Sequence, residues 1–139
     1  MDKQHFAIDR KHERIETSIP CRLGLPGAQL HDATIINLSV GGLKIVCDLA
    51  TYKAIIPAEQ LTPGQVADVS VCIKFSLRPV DRRAMNLDLT ALVIHTERLA
   101  QDTYHIGIQF RDLRKSDYNR IESHIEEVTA AGESGSPTQ

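Results

Sequence analysis

Tryptophan is absent from this sequence, and phenylalanine and tyrosine occur only 3 times each. The core must therefore be built mainly from Ile, Leu, Val and Ala. No charge of one sign dominates. Lys+Arg 16 against Asp+Glu 18 leaves a formal net charge of −2, which argues against a general DNA or RNA binder, since such proteins need many phosphate contacts. Long apolar runs are missing too. The start, Met1-Asp2-Lys3-Gln4-His5, is polar and unlike a signal peptide, and no segment suits membrane insertion. Cys21, Cys47 and Cys72 lie far apart, outside any CxxC spacing. They read as reduced, buried thiols of a cytoplasmic protein.

Catalytic constellations are equally scarce. The sequence has no GxSxG, HExxH or P-loop, and its 6 histidines lack ligand spacing. The reading is therefore not an enzyme, with no catalytic residue, no metal and no cofactor.

What is present is alternation. The 139 residues are 42% hydrophobic and 24% charged, which fits one folded domain. Ile19, Cys21, Leu23 and Leu25 alternate with polar positions before a Pro26-Gly27 turn. A second strand runs from Gln29 to Asn37, and a tight turn over Leu38 to Gly42 leads to Leu43, Ile45 and Cys47. Asp48 to Gly64 reads as a long connection. Val66 to Leu77 places Ala67, Val69, Val71, Ile73, Phe75 and Leu77 on one face. Leu87, Leu89, Ala91 and Val93 form a fifth strand that bends near Ile94-His95. Tyr104, Ile106, Ile108 and Phe110 form a sixth.

The period then changes. Tyr118, Ile121, Ile125 and Val128 share one face of a helix, with Ser116 as its N-cap. The expected fold is mainly β: a six-stranded antiparallel barrel with a C-terminal α-helix. Residues 1–8 read as a flexible arm, 9–128 as the folded domain and 129–139 as a disordered tail. The charged stretch 1–16 has little apolar content to hold it in place before a ligand arrives.

Two local patterns carry chemistry. Arg10 and Arg14 form R-x-x-x-R just before the first strand, and arginine's planar fork suits phosphate oxygens and the O6/N7 edge of guanine. Asn37-Leu38-Ser39-Val40-Gly41-Gly42 lies between two strands. Asn37 offers an amide and Ser39 a hydroxyl, while Gly41 and Gly42 permit positive φ and close backbone approach.

In this order, with a strand between them, the two patterns resemble those of the bacterial PilZ domain, R-x-x-x-R followed by [D/N]-x-S-x-x-G. Leu43-Lys44-Ile45, the Gly107-x-x-Phe110 strand and the final helix extend the resemblance over residues 9–128. It implies a PilZ-type barrel that binds cyclic di-GMP, with Arg10, Arg14, Asn37, Ser39, Gly41 and Gly42 as ligand-binding residues. It also implies a stand-alone receptor that changes conformation and signals through an unidentified downstream protein. The alternative is a PilZ-like interaction adaptor that binds no nucleotide; intact motif residues argue against it. The resemblance departs at Asp9, where some members carry a further arginine that helps hold a stacked ligand pair. An acidic group there opposes that mode unless it turns away, although Lys11 can offset the missing charge.

Overall fold

The computed structural model describes residues 13–78 and 83–135, with side chains described as far as Ala131. The expected arm at 1–8, the motif residue Arg10 and the end of the tail at 136–139 lie outside the described residues.

Six antiparallel strands carry the fold: β1 (Ile15–Gly24), β2 (His31–Leu38), β3 (Gly42–Cys47), β4 (Gly64–Leu77), β5 (Met85–Ala100) and β6 (Thr103–Arg111). They follow one another around the sheet as β1-β2-β3-β6-β5-β4, and β4 pairs back onto β1 to close a barrel. Closure is uneven. β4 and β5 pair from Gly64↔Thr96 to Leu77↔Met85, but β1 meets β4 only from Cys21↔Phe75 to Gly24↔Cys72. Pro20, which has no N–H to give to a ladder, stands at the end of that seam.

The interior is aliphatic, as the scarcity of rings requires. Leu23, Ile35, Ile45, Val71, Ile73, Ala91 and Ile106 are fully buried. Cys21 and Cys47 lie among them, and burial pushes both thiols up to about 12. They are therefore inert core residues at neutral pH; Cys72 is half-buried.

Among the described residues two α-helices accompany the strands: α1 (Leu49–Ile55) and α2 (Lys115–Gly135). The connection expected from Asp48 to Gly64 is thus not structureless, since α1 and a short 3-10 turn at Ala58–Gln60 occupy it. Asp48 caps α1 by accepting a hydrogen bond from the Thr51 N–H at 2.8 Å. Asp102, from the β5–β6 turn, accepts one from the Leu49 N–H at 2.8 Å. The buried Tyr52 stacks on Tyr104 with ring centroids 4.1 Å apart, and its hydroxyl donates to the Leu61 carbonyl at 2.6 Å. α1 therefore plugs the barrel at the end where β3 stops and β4 begins.

Four further expectations are corrected. Val66, not Ala67, is buried at the start of β4, because the register slips between Gln65 and Val69 around Asp68 at φ 61°. β1 starts at Ile15, so Ile15 and Glu16 belong to the sheet rather than to a charged arm. α2 begins at Lys115, so Ser116 sits inside its first turn rather than capping it. Asp117 is buried there, paired with Arg114 at 3.1 Å and Arg120 at 3.4 Å. α2 also continues past Val128 to Gly135, into the expected tail. Its buried face is Ile121 and Ile125, with Val128 37% exposed.

Candidate functional site

At the barrel end opposite α1, β2 turns into β3 through Ser39, Val40 and Gly41. The Ser39 N–H donates to the Gly42 carbonyl at 2.9 Å, closing the hairpin. The Ser39 hydroxyl then organises the turn from inside. It accepts from the N–H groups of Gly41 and Gly42 and donates to the Gly42 carbonyl, each at 3.2 Å. A hydroxyl has one donor and two acceptor positions, so this one, only 5% exposed, is fully engaged by its own turn.

The glycines are needed for a different reason than expected. Neither Gly41 nor Gly42 has a positive φ. Gly42 pairs with Gln109 on β6, and a Cβ on it would run into the carbonyl oxygen of Ile108 and stand 3.1 Å from the Gln109 Cα. Close approach of β6, not a left-handed turn, fixes glycine at position 42. The Gly41 carbonyl accepts from the Phe110 N–H at 3.0 Å, so the whole turn is held against β6.

Beside this turn lies a cleft of about 280 Å³. Of the six motif residues, Arg14, Ser39, Gly41 and Gly42 line it. Arg14 is exposed and precedes β1. Arg10 lies outside the described residues. Asn37 is half-buried on β2 and is not part of the cleft wall. It sits between Glu16 on β1 and Lys44 on β3 in the ladder, and Lys44 does line the cleft. A register shift between Ile35 and Asn37 sets that alignment.

Leu43, Lys44, Ile94, Gly107, Ile108 and Gln109 complete the lining and were not singled out from the sequence as site residues. Lys44 stands two residues past the motif and Gly107 opens Gly-x-x-Phe, but only the pairing of β3, β6 and β5 brings them together. Among the described residues two cations and no Asp or Glu line the cleft, so their local balance favours an anion. The Lys44 charge is felt nearby: burial first, and Lys44 second, hold the half-buried His105 below the usual imidazole range. Among the described residues, no group of three His, Cys, Asp or Glu gathers as a metal site. No described helix is long and apolar enough to cross a membrane.

Fold and cleft together define a small antiparallel barrel carrying a cationic, glycine-lined turn on its rim. The PilZ domain profile matches residues 8–127, and the chain belongs to that family. No curated protein sequence matches this one. Among solved structures, the PilZ domain of Escherichia coli YcgR with c-di-GMP is 15% identical with TM-score 0.61, covering 91% of this chain and 96% of that one. The K. pneumonia MrkH–c-di-GMP complex is 16% identical with TM-score 0.59, covering 91% of this chain and 55% of that one. The Bacillus subtilis inhibitor of motility MotI is 12% identical with TM-score 0.61, covering 87% and 52%. The chain thus spans about half the length of MotI and MrkH. At these identities the likeness is one of fold.

Proposed function

We propose that this chain is a receptor for cyclic di-GMP and not an enzyme. One observation carries the reading: among the described residues, Arg14, Lys44 and the Ser39–Gly42 turn meet in a single cleft. A cyclic dinucleotide has two phosphates and two flat guanines. Its phosphates suit paired cations and its guanine edges suit arginine forks and amides. The c-di-GMP complexes of YcgR and MrkH, which share the fold, support the same ligand class. Arg10 joins Arg14 in this reading through the R-x-x-x-R spacing, and Asn37 stands one ladder position from Lys44.

The signalling step belongs to the same proposal. A bound ligand bridging the residues before β1 and the β2–β3 turn alters the surface at that rim, and a partner protein in the cytoplasm reads the change.

Calorimetric titration tests the reading. Cyclic di-GMP should bind saturably and better than GTP or cyclic GMP. Arg10→Ala and Arg14→Ala should each weaken it about ten- to a hundredfold, the size of one lost charge-assisted hydrogen bond, with melting unchanged. Absence of heat and of competition at high micromolar ligand would reject the receptor and favour a nucleotide-free adaptor.

A further inference from the structure

A second and wider groove, of about 980 Å³, crosses the outer surface of β2, β1, β4 and the start of β5 and shares no described lining residue with the cleft. The register lines up one row of side chains across these four strands. Asp32 on β2 pairs with Arg22 on β1, Arg22 pairs with Lys74 on β4, and Lys74 pairs with Asp88 on β5. All four side chains are exposed and line the groove. The order of charge across the sheet is therefore minus, plus, plus, minus.

The two central cations are not explained by the fold. Arg22 and Lys74 are direct cross-strand partners in a seam that pairs only from Cys21↔Phe75 to Gly24↔Cys72, and like charges so placed destabilise a sheet. Ion pairing on the flanks does not account for them. The Arg22–Asp32 and Lys74–Asp88 contacts, at 3.7 and 3.6 Å, are long and open to solvent, and such pairs contribute little. Exchanging Lys74 with Asp88 would keep that pair and set a carboxylate against Arg22 as well. Arg78, also exposed, brings the described lining to three cations and two carboxylates. Ile19, Pro20, Ala33 and Ala84 add an apolar share.

We infer that this groove docks an acidic segment of a protein partner, with its carboxylates on Arg22, Lys74 and Arg78 and an apolar side chain against Ile19 and Pro20. Four strands about 4.8 Å apart span about 14 Å, the length of four or five extended residues. A nucleic acid needs a longer run of phosphate contacts than three cations interrupted by two carboxylates offer. The inference rests on the reading of the chain as a receptor that signals through a protein, and it adds the surface and the charge of that contact. β1 joins the two sites, since Arg14 stands in the cleft just before it and Arg22 stands in the groove within it.

The test uses the whole chain and a labelled peptide of glutamates around one leucine, read by fluorescence anisotropy at low salt. The peptide should bind the parent even at saturating cyclic di-GMP, because the two sites are separate. Arg22→Gln and Lys74→Gln should each weaken it about two- to fivefold, and both together about tenfold. Asp88→Asn, which removes a competing carboxylate, should tighten it. The Gln variants should melt and bind cyclic di-GMP like the parent, since relief of the like-charge contact offsets the lost exposed pair. A double variant that holds the peptide as the parent does, or that melts far lower, overturns the docking surface. So does a parent that ignores the peptide while binding cyclic di-GMP, which leaves the receptor intact. An oligonucleotide of equal charge that binds better than the peptide assigns the groove to phosphates and overturns it too, and self-association lost in the double variant assigns it to a second copy with the same result. A parent that binds the peptide but not cyclic di-GMP keeps the docking surface and rejects the receptor.

Discussion

A methyl group placed on Gly42 would meet the Ile108 carbonyl oxygen, whereas one placed on Gly107 would meet nothing nearer than 3.7 Å. Glycine at one position serves the fold and at the other leaves space in the cleft. Gly42→Ala must push β3 from β6 or tilt the turn, and such overpacking costs about 1–3 kcal/mol. Ser39 acts on the same turn from within. Ser39→Ala strips the Gly41 and Gly42 N–H groups of their hydroxyl acceptor, which costs roughly 1–3 kcal/mol where those groups stay buried. Urea unfolding of both variants should show a lowered midpoint at unchanged slope. Ser39→Thr, which keeps the hydroxyl, should recover most of the loss. A Ser39→Ala protein as stable as the parent would mean that the hydroxyl is free for ligand rather than committed to the turn.

Among the elements, the strands were the readable part, because each has one face inside the barrel and so alternates. The places where reading failed are places where alternation slips. Asp68 inserts a bulge that exchanges Val66 for Ala67. The irregularity expected at Ile94-His95, by contrast, coincides with the β5–β6 register shift. α1 escaped because seven residues give too short a period, and what holds it is tertiary: Tyr52 against Tyr104, and Asp102 on the Leu49 N–H. The motif order pointed to Arg10, Arg14, Asn37, Ser39, Gly41 and Gly42, and of these Arg14, Ser39, Gly41 and Gly42 line the cleft. Lys44, Gly107 and Ile94 needed the non-local register of three strands, which no local pattern contains. The cap on α1 has a pH signature. The hydrogen bond from the Thr51 N–H holds the Asp48 carboxyl below its ordinary value. A depressed carboxylate stabilises the fold above the ordinary carboxylate range and loses that contribution as pH falls through the lowered value. Asp48→Ala should therefore cost about 1 kcal/mol at neutral pH, and denaturation curves of parent and variant should converge as the medium is acidified through that range. A gap that stays constant down to strong acid would mean the carboxylate is not what caps the helix.

For the whole molecule, the site and α1 divide the two ends of the barrel between them. α1 plugs one end through Tyr52 and Ile55, while the cleft and its turn occupy the rim at the other end, close to where β1 begins. At this rim β1 has no β4 partner before Cys21, and its register on β2 slips between Glu16 and Ile19. A ligand held by Arg14 before β1, by the turn after β2 and by Lys44 on β3 would tie these strand ends together. It would bind the native chain and not the unfolded one, so mass action must raise stability with ligand concentration. At a hundredfold excess over Kd the gain is about 2.7 kcal/mol, which for a domain of this size lifts Tm by roughly 8–11 °C. Because Arg14 is exposed, its share of the binding is screened by salt, and the lift at fixed ligand should shrink as ionic strength rises. Thermal melts at increasing cyclic di-GMP, in low and in high salt, read both effects. A Tm that stays fixed across the ligand series would reject binding at this rim. A lift insensitive to salt would instead assign the ligand to apolar contacts on the β5–β6 face, with the cations contributing little.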